Sequence, residues 1–289
     1  MLNMAGEKIS IIIVSFNAEK TIRQAVESVL NQEYKNFELI IIDGKSTDGT
    51  IKILKEYNNQ VAYLVSEPDE GIYDAMNKGI AFASGKWLLF LGADDLLCEN
   101  ILQDVFSDLY PGSFELIYGK IEIEQSKKTL GAATDFQQLI SCNIPHQAIF
   151  YSKPILAKLG GYDLHYKILA DYDMNLKIFE DTGIQKKFID KKIAIFSSGG
   201  ISNRTIDYLF FSEKLAYFTS THSLVKTDKR LAKYYFFTGV ALILKREYLK
   251  GIKNIIHPVM YGGRRFYYFM LIGSFILSLA GIGKKYKYV

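Results

Sequence analysis

Apolar residues first gather in an unbroken run, Ile9-Ser-Ile-Ile-Ile-Val14, rich in β-branched side chains. Such a run, without alternation, predicts a strand covered on both faces, the habit of parallel sheets. The period then changes. Ile22, Ala25, Val26, Val29 and Leu30 recur at helical spacing within a helix predicted over 18–31. A second strand is expected over 38–42. Asp48-Gly49-Thr50 then caps a helix carrying Ile51, Leu54 and Tyr57. A strand over 61–65, a helix over 72–83 and a strand over 87–91 complete the alternation, which predicts an α/β fold with a mainly parallel sheet. These sheets bind ligands beyond the C-terminal ends of their strands. Polar residues collect at those ends: Ser15 and Asn17 after the first strand, Asp43 after the second, Asp94 and Asp95 after the fourth. From 116 to 196 the elements shorten to strands over 116–124, 147–151 and 187–196 and a helix over 170–180. This predicts a mixed sheet extending the first half. Beyond Ile206 the pattern is helical, so the expected division is 1–205 and 206–289.

Charge sharpens that division. The net charge of +4 over 289 residues hides a segregation. Residues 226–289 hold 13 Lys and Arg against 2 Asp and Glu, whereas residues 1–225 hold 22 against 29. A basic tail on an acidic body points to a polyanionic partner. Phe266 to Gly283 is uncharged, with Arg264-Arg265 before it and Lys284-Lys285 after it. At 18 residues it is short for a spanning helix. It fits better a helix lying in or dipping into a membrane interface. The mixture of basic and long apolar segments favours a membrane surface and argues against nucleic acid. The two cysteines, Cys98 and Cys142, exclude a disulfide scaffold. The N-terminus lacks the apolar run of a signal peptide, so the catalytic part is expected in the cytoplasm.

Two segments carry candidate chemistry. Asp94 and Asp95 stand together behind the apolar strand in Phe90-Leu-Gly-Ala-Asp-Asp95. Adjacent carboxylates raise each other's pKa unless a cation offsets them. Mg²⁺ and Mn²⁺, which prefer oxygen ligands and phosphate co-ligands, would do so. A cap on the next turn is the plainer alternative. Gly44-Lys45-Ser46 is not a P-loop: the glycine that motif needs five residues earlier is Leu39, inside a strand. Ser46 to Gly49 read as turn and cap residues.

Taken together, Ile11-Ile-Ile-Val-Ser-Phe-Asn17, Ser28-Val-Leu-Asn-Gln32, Ile41-Ile-Asp-Gly-Lys-Ser-Thr-Asp-Gly-Thr50 and Phe90-Leu-Gly-Ala-Asp-Asp95 resemble the family 2 glycosyltransferases in order and spacing. The resemblance covers about residues 8 to 200 and implies the GT-A fold. Ser66-Glu-Pro-Asp-Glu-Gly-Ile-Tyr-Asp-Ala-Met-Asn-Lys-Gly-Ile80 is similar to the branch that builds bacterial O-antigen and capsule repeats. The resemblance implies an inverting transfer from a nucleotide-sugar donor, usually a UDP-sugar, to a glycan or polyprenyl-diphosphate-linked acceptor at the cytoplasmic face of the membrane. It places Ser15 and Asn17 in the nucleotide cleft, Asp43 at the base, Asp94 near the donor ribose and Asp95 on a divalent metal. Asp171, in Leu169-Ala-Asp-Tyr-Asp173, matches the catalytic base, with Asp173 its rival about 200° away on a helix. Two positions depart from the family pattern: the usual Asp-Asp-Gly-Ser is Asp43-Gly44-Lys45-Ser46, and Asp-x-Asp-Asp is Gly92-Ala-Asp-Asp95. Each costs one carboxylate.

His146 is either structural or a contact to acceptor or phosphate. Gly199 and Gly200 suit a flap over the diphosphate or a plain turn. A sugar-1-phosphate nucleotidyltransferase would need a glycine-rich basic loop where Ser15-Phe-Asn-Ala-Glu19 stands. A silent paralogue has no reason to keep Asp95 and Asp171.

Overall fold

Strand and helix alternate through the first part of the chain as the periodicity demands: β1 (Ile9–Ser15), α1 (Ile22–Leu30), β2 (Phe37–Asp43), α2 (Thr50–Leu54), β3 (Tyr63–Ser66), α3 (Ile72–Phe82) and β4 (Trp87–Gly92). Shorter elements follow: β5 (Leu96–Leu97), α4 (Ile101–Phe106), β6 (Leu116–Ile123), β7 (Thr129–Leu130), α5 (Phe136–Leu139), β8 (Ile149–Ser152), α6 (Lys153–Leu159), α7 (Ala170–Glu180) and β9 (Lys186–Phe196). The last three are α8 (Tyr208–Ser220), α9 (Ala232–Leu244) and α10 (Tyr248–Tyr261). This computed structural model describes residues 6–106, 114–197, 206–222, 224–225 and 227–261. Gly199, Gly200 and the apolar run from Phe266 to Gly283 lie outside the described residues.

The described strands form one sheet in the order β3-β2-β1-β4-β8-β6-β9-β5, with β7 beside β6. The first four strands are parallel. β8 runs antiparallel to both β4 and β6, and β6 is parallel to β9. The mixed extension expected from the shorter elements is therefore present. Every residue of β1 is buried, which explains its unbroken apolar run. Gly79 of α3 lets that helix close onto β1: a Cβ there would stand 2.4 Å from Ile12. Chain direction across the sheet reverses at β1, because β2 lies on one side of it and β4 on the other. A ligand crevice belongs at that point, past the C-terminal strand ends.

Two predicted boundaries shift for local reasons. The first helix begins at Ile22, not near residue 18. Asn17 adopts a left-handed conformation, φ 49°, which Asn tolerates. The Asn17, Ala18 and Glu19 amides donate to Ser46 Oγ, Thr50 Oγ1 and Asp48 Oδ2 instead of starting a helix. The strand predicted from Gln147 begins at Ile149, because Pro145 opens a single 3₁₀ turn over His146–Ala148.

The chain divides into two compact units. Among the described residues, the first runs to Leu139 and from Asn143 to Ser197; the second takes Ile140–Cys142 and the residues after 205. The second unit is a helical pack cored by Ala232, Phe236, Val240 and Ile255. In it α9 and α10 approach closely: a Cβ on Gly239 would meet the Gly251 carbonyl at 2.7 Å. No helix among the described residues is long and apolar enough to cross a membrane.

Candidate active site

Three strand ends meet in register: Ser15 pairs with Asp43, and Asp43 with Ser66. Asp43 is 0% exposed. Its Oδ1 accepts from Ser15 Oγ at 3.0 Å and Ser46 Oγ at 2.5 Å; its Oδ2 accepts from the Ser46 amide and Ser66 Oγ, both at 2.8 Å. Four donors on one buried carboxylate make a clasp that fixes the 44–47 loop. Asn17 Oδ1 tightens it by accepting from the Thr47 amide at 2.8 Å. Lys45 holds φ 62° in this loop, a left-handed position where the family pattern has glycine. Asp43 and Asn17 thus shape the strand-end rim, and Asp43's oxygens are enclosed by these donors. Phe16, beside Gly44, is 62% exposed.

Asp94 and Asp95 follow β4 at the next strand end. Asp95 is 2% exposed. Its Oδ2 accepts from Gln147 Nε2 at 2.6 Å and its Oδ1 from the Ser197 amide at 2.9 Å. Burial, and then the neighbouring Asp94 charge, push its carboxyl up to about 6. Gly92 explains how the pair fits. A Cβ at Gly92 would stand 2.7 Å from Asp95 Oδ2 and 3.0 Å from Asp94 Oδ1, so both carboxylates fold into the space a side chain would fill. Among the described residues, no three Asp, Glu, His or Cys side chains converge as a metal cage. Mg²⁺ and Mn²⁺ are commonly held by one or two carboxylates together with substrate phosphates. Two crowded oxygen donors, one raised in pKa, fit such an ion.

Asp171 lies in the first turn of α7, 7% exposed, where a helix N-terminus favours negative charge. Its Oδ1 accepts from the Tyr172 amide at 2.8 Å and lies 2.9 Å from the Tyr73 hydroxyl, whose one proton it shares with the Ile168 carbonyl at 2.6 Å. Its Oδ2 accepts from Asn143 Nδ2 at 3.0 Å. His146 Nδ1 stands 3.6 Å from that oxygen, an ion-pair distance but too long for a hydrogen bond. Asp173 turns elsewhere and pairs with Lys177 at 2.7 Å. Asn175, fully buried, donates to Asn143 Oδ1 and to the Ile144 carbonyl, both at 2.9 Å, and so locks the segment that reaches Asp171.

The 143–147 segment joins the two carboxylate centres. Asn143 binds Asp171, Gln147 binds Asp95, and His146 between them stands by Asp171 and close enough to Asp95 to favour its charge. Sequence reasoning singled out His146 but passed over Tyr73, Asn143, Gln147 and Ser66. Their signal was available but weak: polar groups inside or next to apolar strands and helices, of which Tyr73 and Gln147 are buried and need partners within the protein.

A sheet with its ligand edge at the β1/β4 reversal and a carboxylate pair after β4 is that of a GT-A glycosyltransferase. The sequence matches the Glycosyl transferase family 2 profile over residues 10–159, and the chain belongs to that family. It is a glycosyltransferase of class EC 2.4. It is 35% identical over 216 residues to a "PGL/p-HBAD biosynthesis glycosyltransferase" of Mycobacterium tuberculosis, covering 72% of this chain and 84% of the relative. It is 29% identical over 206 residues to the Escherichia coli "UDP-Glc:alpha-D-GlcNAc-diphosphoundecaprenol beta-1,3-glucosyltransferase WfgD", covering 68% and 80%. The fold is similar to that of S. aureus TarS 1-349 in complex with UDP-GlcNAc, with TM-score 0.67 and 17% identity over 86% of this chain and 81% of that one. It is also similar to that of the mannosyltransferase PcManGT from Pyrobaculum calidifontis in complex with GDP-Man and Mn²⁺, with TM-score 0.55 and 13% identity over 94% and 81%.

Proposed function

We propose that this enzyme transfers a sugar, with inversion, from a UDP-sugar to a sugar acceptor carried on a polyprenyl diphosphate, in cell-surface polysaccharide synthesis. The observation that carries the reading is the lacing of Asp95 and Asp171, buried carboxylates from separate elements, onto one segment by Gln147 and Asn143. WfgD, by its name, uses UDP-Glc and a diphosphoundecaprenol-linked sugar, and TarS binds UDP-GlcNAc. WfgD's name supports both the donor and the acceptor class, and TarS the donor class alone. The exposed apolar face of α10, beside a basic stretch, supports work at a membrane surface.

The chemistry divides between the two centres. The acceptor hydroxyl oxygen attacks the anomeric carbon, and the bond from that carbon to the diphosphate breaks with its electron pair on UDP. The hydroxyl proton passes to Asp171, whose first-turn position and contacts to Asn143, the Tyr172 amide and the Tyr73 hydroxyl hold its carboxylate in place. Asp95, with Asp94 beside it, would hold Mg²⁺ or Mn²⁺. When bound, the ion offsets charge on the leaving diphosphate. Ser15, Asn17 and Asp43 shape the nucleotide rim. His146 lies where an acceptor or phosphate oxygen could meet its Nε2, a buried nitrogen that makes no hydrogen bond among the described residues.

The test is a screen of UDP- and GDP-sugars for metal-dependent hydrolysis. One or more UDP-sugars should be hydrolysed with Mn²⁺ or Mg²⁺ and spared in chelator, and Asp95→Asn should abolish the activity. Normal turnover by Asp95→Asn would contradict the assignment.

A further inference from the structure

The carboxylate that the sequence lacks at position 44 is replaced in space by another. A Cβ built on Gly44 would stand 2.5 Å from Asp69 Oδ2, 3.2 Å from Asp69 Cγ and 3.4 Å from the Phe16 ring. Contacts under 3.0 Å essentially never occur around a real Cβ, so the Asp69 carboxylate occupies the place of the absent side chain. Gly44 does not have a positive φ, so this glycine supplies room, not backbone freedom. Gly92 also leaves room, but there the motif's own Asp94 and Asp95 fill it; only at Gly44 does the carboxylate come from another loop.

Asp69 is built to aim. It follows β3 in the loop before α3, and its Oδ1 accepts from the Gly71 amide at 2.9 Å. That bond fixes the carboxylate plane. Oδ2, turned towards Gly44, makes no hydrogen bond or ion pair of its own among the described residues. Asp43 cannot do the same work, because its two oxygens already accept from four donors. A nucleotide whose diphosphate lies at Asp95, past β4, must lay its nucleoside over the ends of β1, β2 and β3. The ends of β2 and β3 lie two and three strand spacings from β4, about 10–14 Å. There the exposed Phe16 ring offers a stacking face, and bases stack on aromatic side chains regardless of their sequence. The remaining question is which base edge is read. A carboxylate oxygen accepts and cannot donate. It suits the imide N3–H of uracil and repels N3 of cytosine, an acceptor at the same place.

We propose that Asp69 reads the N3–H of the donor's uracil ring, in place of a residue at position 44. This rests on the UDP-sugar reading above. Uracil and cytosine have the same size and stacking face, so the pair UDP and CDP isolates this contact. The experiment measures dissociation constants of UDP and CDP by titration calorimetry on the full chain with saturating Mn²⁺. Wild type should prefer UDP. Asp69→Ala should lose about tenfold or more in UDP affinity, the scale of a charge-assisted hydrogen bond, and change little for CDP, so that the preference falls towards parity. The double variant Gly44→Asp with Asp69→Ala should regain the preference, because the new carboxylate enters the vacated space. Gly44→Asp alone should be impaired, with two carboxylates in one place. An Asp69→Ala protein that keeps the wild-type UDP:CDP ratio would overturn the proposal, whatever happens to absolute affinity. That ratio decides the matter even if the double variant fails to fold. Wild type that binds neither nucleotide would overturn the donor reading and this contact together, which separates the two failures.

Discussion

Asp95 concentrates the electrostatic problem of the site in one side chain. Its carboxyl is raised to about 6, first by burial and then by Asp94. The sign follows. A carboxyl raised in the folded state binds more protons there than in the unfolded chain, so without metal its effect is to reduce stability as pH climbs from near 4 through about 6. A divalent cation needs the ionised form and competes with that proton. Mn²⁺ affinity should therefore be constant above about pH 7 and weaken below pH 6, towards tenfold per pH unit for one displaced proton. Asp95→Asn should bind Mn²⁺ weakly with a flat pH profile. Titrating Mn²⁺ from pH 5 to 8 checks this; a wild-type affinity independent of pH would contradict it. Tyr73 is the second residue to test. Tyr73→Phe removes one donor to Asp171 and leaves the fold's packing intact. Turnover of the donor with acceptor should fall several-fold to tenfold while UDP affinity stays near wild type. Equal loss in both would show that Tyr73 supports the nucleotide rim instead.

At the scale of elements, the pattern of apolar residues told most of the fold. β1, β2, β4, α3 and α7 lie within a residue of their predicted bounds, because continuous burial and helical period leave direct marks in the sequence. The short pieces did not. β5 and β7 are two residues each, and nothing in so short a stretch shows a period. The candidate site was legible where residues follow a strong strand: Ser15, Asp43, Asp94 and Asp95. Its supporting contacts were not, since Asn143 to Asp171 and Gln147 to Asp95 join elements far apart in the chain. Gly44 read only as a loss, because Asp69, whose carboxylate fills its space, lies 25 residues on and meets it only in three dimensions. The opposite end of the sheet carries a further buried charge. Glu38 on β2 is 8% exposed, and burial opposes its charge. Lys8, the Ser10 and Ser84 hydroxyls and the Ser84 amide outweigh that and hold it at about 2. A lowered carboxyl stabilises fully above its usual range, and that stability is lost as pH falls from about 4.5 through 2. Glu38→Gln should cost ~2–3 kcal/mol near pH 7 and much less near pH 2, read by urea unfolding. The same cost at both pH values would contradict the network.

The whole molecule joins an acidic catalytic unit to a basic helical one. In the helical unit, α10 turns Gly251 and Ile255 inward and exposes Tyr248, Leu249, Ile252, Ile256 and Met260, with Leu249 87% exposed. Lys245, Arg246, Lys250 and Lys253 lie before or within the same helix. An apolar stripe rimmed by basic residues suits insertion at an anionic surface, with about 1 kcal/mol for each well-placed Lys or Arg and further gain from apolar burial. The full chain should sediment with vesicles rich in phosphatidylglycerol. High salt should release only part of it, because apolar insertion is not screened. Leu249→Glu with Ile252→Glu should weaken the binding at least tenfold and leave donor hydrolysis intact. A full chain that ignores anionic vesicles would remove the membrane from the account.

The claim on which the rest depends is that Asp171 takes the acceptor proton while the donor is held elsewhere. Steady-state turnover of Asp171→Asn, with UDP affinity measured on the same preparation, tests it most directly. The variant's kcat should fall by about 10²-fold or more while its UDP binding in Mn²⁺ stays near wild type. Near-normal turnover, or a larger defect in Asp173→Asn, would contradict it.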